Sequence, residues 1–449
     1  HATLLEIPPQ DVHQVVGRHV LVDAFDLVFD LEKSHGAYLH DSRSGRDLLD
    51  FMTFIASSPI GYNHPKTNDP EFRARLLKVA QVKPSLSDAY TVEYASFLET
   101  FARVAMPSYL PHAFFIEGGT LAVENTLKVA MDYKVRQNWR AGGDRSKERG
   151  QQIVHFKEAF HGRSGYCLSL TNTDPAKTDL FPKFPWPRIG NPKLRFPETP
   201  EATRDVVALE QASLDQLGKA FEDHGDDIAG IIIEPIQGEG GDNHFRPEFI
   251  QALKATADSM NCFFIVDEVQ TGVALTGRFW AHEHYGVQPD ALAFGKKTQT
   301  CGCLVGPKVD REPDNVFVSR SRINSTWGGN LTDMVRFQRF LEIIEEDRLV
   351  ENARDVGEHL LGGLRSLAGD FPSLVGNVRG RGLMIAFDTD PDQRRALLDR
   401  CFEIGMIALP CGSRSIRFRP PLTLTRSEAD QGLDILRRAL QTLPGGPGK

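Results

Sequence analysis

Cys262-Phe263-Phe264-Ile265-Val266-Asp267 and Ala291-Leu292-Ala293-Phe294-Gly295-Lys296 are two apolar runs, each closed by a charged residue, with the aspartate twenty-nine positions ahead of the lysine. Runs that are continuously apolar, rather than alternating, read as strands covered on both faces, as in a parallel sheet enclosed by helices. Ile153-Val154-His155-Phe156 is a third such run. Ile228 to Ile233 is a fourth, leading into Glu234-Pro235. Strand ends near 234, 267 and 295 lie about thirty residues apart, the length of a β-α-β unit. Between two of them, Pro247 to Met260 places Phe249, Leu253, Ala257 and Met260 at helical spacing, with proline in the first turn. The predicted fold class is therefore α/β with a mostly parallel central sheet. Ligands on such sheets sit beyond the carboxyl ends of the strands, where Asp267 and Lys296 fall.

A lysine and an aspartate delivered to one sheet edge suit pyridoxal phosphate. A lysine amine condenses with the cofactor's aldehyde, and a carboxylate keeps the pyridine nitrogen protonated so that the ring accepts electrons. A phosphate site is legible separately. Ile116-Glu117-Gly118-Gly119-Thr120 precedes a helical pattern from Leu121 through Tyr133. Glycines let backbone approach an anion, and a helix start aims free N–H groups at it.

The 449 residues, 41% of them hydrophobic, suffice for a sizeable core. The formal charge of −8 and the lack of a dense basic run argue against a nucleic-acid partner. No apolar stretch approaches the roughly 18–20 residues that span a bilayer, so no membrane association is expected. The start, His1 to Pro8, lacks the pattern of a secretory leader. Cysteines at 167, 262, 301, 303, 401 and 411 are too scattered for a disulfide framework and suit a cytoplasmic location. Cys301-x-Cys303 lacks a second pair at zinc spacing, and His282 and His284 fall in Gly277 to Tyr285, which reads as an amphipathic helix, so no metal is expected. Residues 19–55 read as short strands and turns, and a helix is predicted over Asp333 to Glu345. The stretches 137–150 and 183–203 read as surface insertions, and Pro444 to Lys449 as a frayed tail. The expected organisation is an N-terminal segment, 1–60, contributing to a small lobe, a large α/β domain over 61–329, and a C-terminal α+β domain over 330–449.

Phe294-Gly295-Lys296-Lys297 and Val266-Asp267-Glu268-Val269-Gln270-Thr271-Gly272 together resemble the class III (ω-amino-acid) aminotransferases of fold type I. So do Glu158-Ala159-Phe160-His161-Gly162-Arg163 and Glu234-Pro235-Ile236-Gln237-Gly238-Glu239-Gly240. The resemblance covers roughly residues 20–440. It implies a two-lobed pyridoxal 5'-phosphate enzyme that works as a homodimer, each active site drawing on both chains. Asn324-Ser325-Thr326-Trp327-Gly328-Gly329-Asn330 and Arg417-Phe418-Arg419-Pro420-Pro421-Leu422-Thr423 are similar to the branch that takes the ε-amine of L-lysine and passes it to 2-oxoglutarate in a ping-pong cycle. Donors such as 4-aminobutyrate or ornithine would use the same machinery.

The resemblance also implies roles. Lys296 is the Schiff-base lysine and proton shuttle. Lys297 competes for that role, but Lys296 follows Phe-Gly directly, as the family lysine does. Asp267 pairs with the pyridine nitrogen, Gln270 reaches the ring hydroxyl and Phe160 stacks on the ring. Gly119 and Thr120 hold the phosphate, although Thr120 stands where the family usually carries Ser or Ala. Thr326 adds a hydroxyl from the partner subunit, and Asn324 and Gln270 contribute to the substrate site. Arg163 would take the α-carboxylate of lysine, and Arg417 the carboxylate beside the reacting carbon of 2-oxoglutarate. Arg419 is the alternative to Arg417, which is favoured because it precedes an apolar residue three positions before the first proline. Glu239 would neutralise Arg417 while lysine is bound and swing aside for the dicarboxylate.

Overall fold

The computed structural model describes residues 6–445. The first five residues and positions 446–449, on which part of the leader and tail expectations rest, lie outside the described residues. Strands β1 (Tyr38–Asp41) and β2 (Arg46–Asp50) form a hairpin near the N-terminus. The large sheet contains β3 (His112–Ile116), β4 (Gln152–Phe156), β5 (Arg188–Ile189), β6 (Ile228–Ile233), β7 (Phe263–Asp267), β8 (Ala291–Phe294) and β9 (Cys301–Val305). Their order across the sheet is β3-β9-β8-β7-β6-β4-β5. Only β9 runs against its neighbours, being antiparallel to both β3 and β8.

That topology positions the site. With the other six strands parallel, the segments that leave β3, β4, β6, β7 and β8 all emerge at one edge. Every residue of β6, β7, β8 and β9 is buried, as the continuous apolar runs predict. Burying each isoleucine or phenylalanine stabilises by roughly 2 kcal/mol, which fixes the strands from which the functional side chains project. The helix Gly119–Arg140 crosses β6, β8 and β9 on one face. Pro247–Ser259 packs against β6 and β7.

Strands from the C-terminal part are β10 (Gly376–Arg381), β11 (Met384–Asp388), β12 (Met406–Ile407), β13 (Leu409–Cys411) and β14 (Ser415–Phe418). Four of them form the antiparallel sheet β10-β11-β14-β13, while β12 pairs with β2, so one small sheet joins both ends of the chain. The last helix, Arg426–Gln441, opens with a capping box in which Thr425 and Glu428 satisfy each other's backbone N–H groups.

Several local readings change. Gly277 to Tyr285 is not one amphipathic helix; only Ala281–Tyr285 is helical, as a 3-10 segment. His282 there is committed, with Nδ1 2.6 Å from Glu268 and Nε2 2.7 Å from the Tyr109 hydroxyl. The 183–203 stretch is not all loop, because Pro200 begins a 25-residue helix ending at His224, capped by Thr199. The helix expected over Leu121 to Tyr133 runs on to Arg140, taking in the start of the 137–150 stretch. Thr53, Phe54, Ile55 and Ala56 form a turn of left-handed backbone with φ between 45° and 60° and no glycine, a conformation with no local signal in these residue types. Asp50 accepts from the N–H groups of Met52 and Thr53, and the Thr53 hydroxyl donates to the Arg419 carbonyl at 2.6 Å.

Candidate active site

A cavity of about 390 Å³ opens at the strand-end edge. Gly119, Thr120, Phe160, Arg163, Glu239, Asp267, Gln270 and Lys296, all singled out from sequence, line it. Lys296 lies just past β8 with φ at +55°, a strained setting for a lysine of the kind found at functional positions. Its amine makes no hydrogen bond to a described residue. Burial lowers its pKa, Arg417 adds to this, and Glu239 and Asp267 only partly oppose it. Lys297, by contrast, turns its amine onto the carbonyls of Gln270, at 2.7 Å, and Ala56, at 3.3 Å.

Asp267 ends β7 and is nearly fully buried. Its Oδ1 accepts from the Val269 N–H at 3.0 Å, and its Oδ2 lies 2.7 Å from His161 Nδ1. Burial works against the charged form of His161, but the Asp267 hydrogen bond and charge outweigh it, so the imidazole pKa is raised. His161 Nε2 is buried without a partner among the described residues. Glu234, just beyond β6, accepts from the N–H groups of Phe160 and Gly238. Burial, reinforced by the charge of Asp267, pushes its carboxyl up to about 7. Sequence reasoning gave no role to His161 or Glu234. For His161 the signal was its place directly after Phe160 in the motif.

Gln270 connects the centre to two arginines. Its Oε1 accepts from Arg419 Nε at 3.0 Å, Arg419 Nη2 at 2.8 Å and Arg417 Nη1 at 3.3 Å. Guanidinium groups only donate, so this side of the amide is the oxygen, and the NH2 remains free to donate elsewhere. Arg417, on β14, places Nη2 2.6 Å from Glu239 Oε2. Arg419, two positions on, is fully buried and forks onto Asp242, with contacts of 2.9 and 2.5 Å. Burial tends to raise the Glu239 carboxyl, but Arg417 and Lys177 more than offset this and its pKa is lowered. Arg163 is exposed at the rim and makes no ion pair among the described residues. Asn324 and Thr326 are exposed and do not line the cavity of the single chain.

These residues fit pyridoxal phosphate. The long helix from Gly119 has no side-chain cap, so its first N–H groups face the cavity available to a phosphate. Gly118 (φ +97°) sets the sharp entry into that helix. Gly162 (φ +121°) allows the loop to pass against Thr120, where a Cβ would collide with the threonine side chain. A carboxylate oriented by a buried imidazole, and a lysine amine left without a partner, supply the remaining contacts the cofactor requires.

The sequence matches the class III aminotransferase family over residues 22–440. It is 51% identical over 435 residues to an L-lysine-epsilon aminotransferase of Mycobacterium bovis, covering 96% of each chain. It is 49% identical to the L-lysine-epsilon aminotransferase of Amycolatopsis lactamdurans, again covering 96% of each. A solved lysine aminotransferase from M. tuberculosis superposes with a TM-score of 0.94 at 50% identity, covering 97% of this chain and 99% of that one. The chain belongs to the class III aminotransferases, of fold type I, and its cofactor is pyridoxal 5'-phosphate.

Proposed function

We propose that the protein transfers the ε-amino group of L-lysine to 2-oxoglutarate, giving L-2-aminoadipate 6-semialdehyde and L-glutamate. The observation that carries this is the ion pair between Arg417 and Glu239, bordering a cavity whose rim carries the unpaired Arg163. A donor entering by its ε-amine has no carboxylate near the reacting carbon, so an arginine there must be masked. Glu239 provides the mask. The α-carboxylate at the far end of lysine then has Arg163 to pair with. A dicarboxylate acceptor does need a cation beside its reacting carbon, and it gains Arg417 when Glu239 withdraws.

The bound cofactor supplies an aldehyde that exchanges amines and a protonated ring that accepts electrons. The side chains supply the rest. Asp267, held by His161, keeps a proton on the ring nitrogen. Gln270, its oxygen fixed by the arginines, would donate its N–H to the ring hydroxyl. Gly119 and Thr120 would hold the phosphate through backbone donors, and Phe160 would stack on the ring. Lys296, whose lowered pKa leaves more of its amine neutral, would take a proton from the carbon that bears the donor amine in the first half of the cycle and deliver one to the former carbonyl carbon of the acceptor in the second. Arg419 has no such role, because its donors are committed to Asp242 and Gln270.

We also infer a homodimer in the cytoplasm. Phe54, Ile55, Leu121 and Trp327 expose apolar surface, with Ile55 lining the cavity and Leu121 next to Thr120, as expected of a face covered by a second copy. The partner subunit would bring Asn324 and Thr326 to the opposite cavity. Six buried, unpaired cysteines suit a reducing compartment. No helix among the described residues is long and apolar enough to cross a membrane.

The test offers the holoenzyme L-lysine, 4-aminobutyrate and L-ornithine separately, each with 2-oxoglutarate, and identifies the products. Glutamate and the 6-semialdehyde, or its cyclic imine, are expected from lysine. Glutamate from only one of the other donors would overturn the substrate assignment and leave the cofactor site standing.

A further inference from the structure

We propose that Lys177 is a second seat for the Glu239 carboxylate, holding it clear of Arg417 while a dicarboxylate acceptor occupies the site. This rests on the reading of the Arg417–Glu239 pair given above. Lys177 lies in the short helix Pro175–Thr178, whose start is capped by Asp174. Its Nζ is 3.2 Å from Glu239 Oε1, while Arg417 Nη2 is 2.6 Å from Oε2, so the one carboxylate bridges two cations. The two cations differ in freedom. The Arg417 side chain is 3% exposed and fixed on β14, whereas that of Lys177 is 29% exposed and that of Glu239 22% exposed.

Two consequences follow from ion pairing. If Glu239 left Arg417 with nothing to receive it, a half-buried carboxylate would lose its partner, and the withdrawn state would be costly. Lys177 removes that cost. Its flexible ammonium has three donors and can follow the carboxylate as it turns, offering both oxygens a cation once Arg417 is given up. In the masked state Lys177 also draws on the charge that would otherwise serve Arg417 alone. Both effects favour withdrawal. Lys177 is thus a positioning residue for the acceptor half of the cycle. Its Nζ also lies over the ring of Phe160, 5.8 Å from the centroid, and Lys177 is not among the residues that line the cavity.

Glutarate, a five-carbon dicarboxylate with no keto group to react, reads the withdrawn state by calorimetry on the holoenzyme. Relative to wild type, Lys177→Met is expected to bind it about fivefold more weakly, since the competent state becomes rarer. Lys177→Arg should restore the affinity to within about twofold, because the charge is kept. Glu239→Gln should bind glutarate more tightly than wild type, and adding Lys177→Met to Glu239→Gln should cause no further loss. A fivefold loss that persists in the Glu239→Gln background would mean that Lys177 attracts the ligand directly, and would overturn the proposal. Unchanged affinity in Lys177→Met would do the same. If Glu239→Gln binds glutarate no better than wild type, the masking of Arg417 fails first, and the seat for Glu239 falls with it.

Discussion

Lys296 and Lys297 are adjacent and alike in charge, yet their amines meet different surroundings. One has no hydrogen-bond partner among the described residues; the other is anchored on two backbone carbonyls. Sequence alone separated them only through the Phe-Gly spacing of a family motif, because the rotation that sends one amine inward leaves no trace in composition. Arg417 and Arg419 were likewise ambiguous as residues on one strand face. Asp242, the partner that commits Arg419, lies far away in sequence and carried no motif signal. His161 yields a prediction with a definite sign. Its folded pKa is raised above the ordinary 6.5, so the stability it contributes is fully present below about pH 6.5 and is lost as pH rises through the higher folded value. The gap in unfolding midpoint between wild type and His161→Asn is expected to narrow as pH rises through that value. A gap that stays constant with pH would mean that the buried imidazole is neutral. Cofactor affinity should also fall about tenfold in this variant, as measured by equilibrium dialysis, because Asp267 loses a charge-assisted hydrogen bond.

The left-handed turn at Thr53–Ala56 shows why some segments were illegible. Four residues without glycine pay roughly 1–2 kcal/mol each for that backbone, so nothing local favours it. It persists because Asp50, Arg419 and Lys297 bind its backbone or its threonine, while Gln299 holds the Ser57 carbonyl just after it. Thr53→Val keeps the shape, removes the hydroxyl donor and leaves the buried Arg419 carbonyl without it. Hydrogen exchange over residues 52–57 is expected to speed up about tenfold, equivalent to ~1.4 kcal/mol. Unchanged exchange would show that the backbone contacts suffice. Strands β4, β6, β7 and β8 were legible because burial on both faces forces continuous apolar runs, whereas β3, with three half-buried residues, and the two-residue β5 carry no such run. The Pro200–His224 helix was hidden by the prolines before it, although its Thr199 cap and Pro200 were present as a start signal. The reversed direction of β9 was not readable, since Cys301–Val305 is as uniformly buried as its parallel neighbours.

The assembly of two chains is open to a direct test. If Asn324 and Thr326 act across the dimer, mixing Lys296→Ala subunits with subunits carrying Asn324→Ala and Thr326→Ala, after unfolding and refolding together, regenerates intact sites in the hybrids. Random pairing gives half hybrids with one whole site each, so activity should return to about a quarter of wild type. No recovery would place both residues in their own chain's site or outside it. The fold class, and the arrival of Asp267 and Lys296 at one cavity, were legible because each depends on short, strongly patterned runs. The rest depended on pairings across hundreds of positions. That same wiring bears on how the protein is made. The turn at Thr53–Ala56 is held by Lys297, next to Lys296, and by the carbonyl of Arg419, 366 positions after Thr53. A ribosome must therefore have passed Arg419 before the turn gains that contact, so a wall of the cavity that is written early in the chain is set only late in its synthesis.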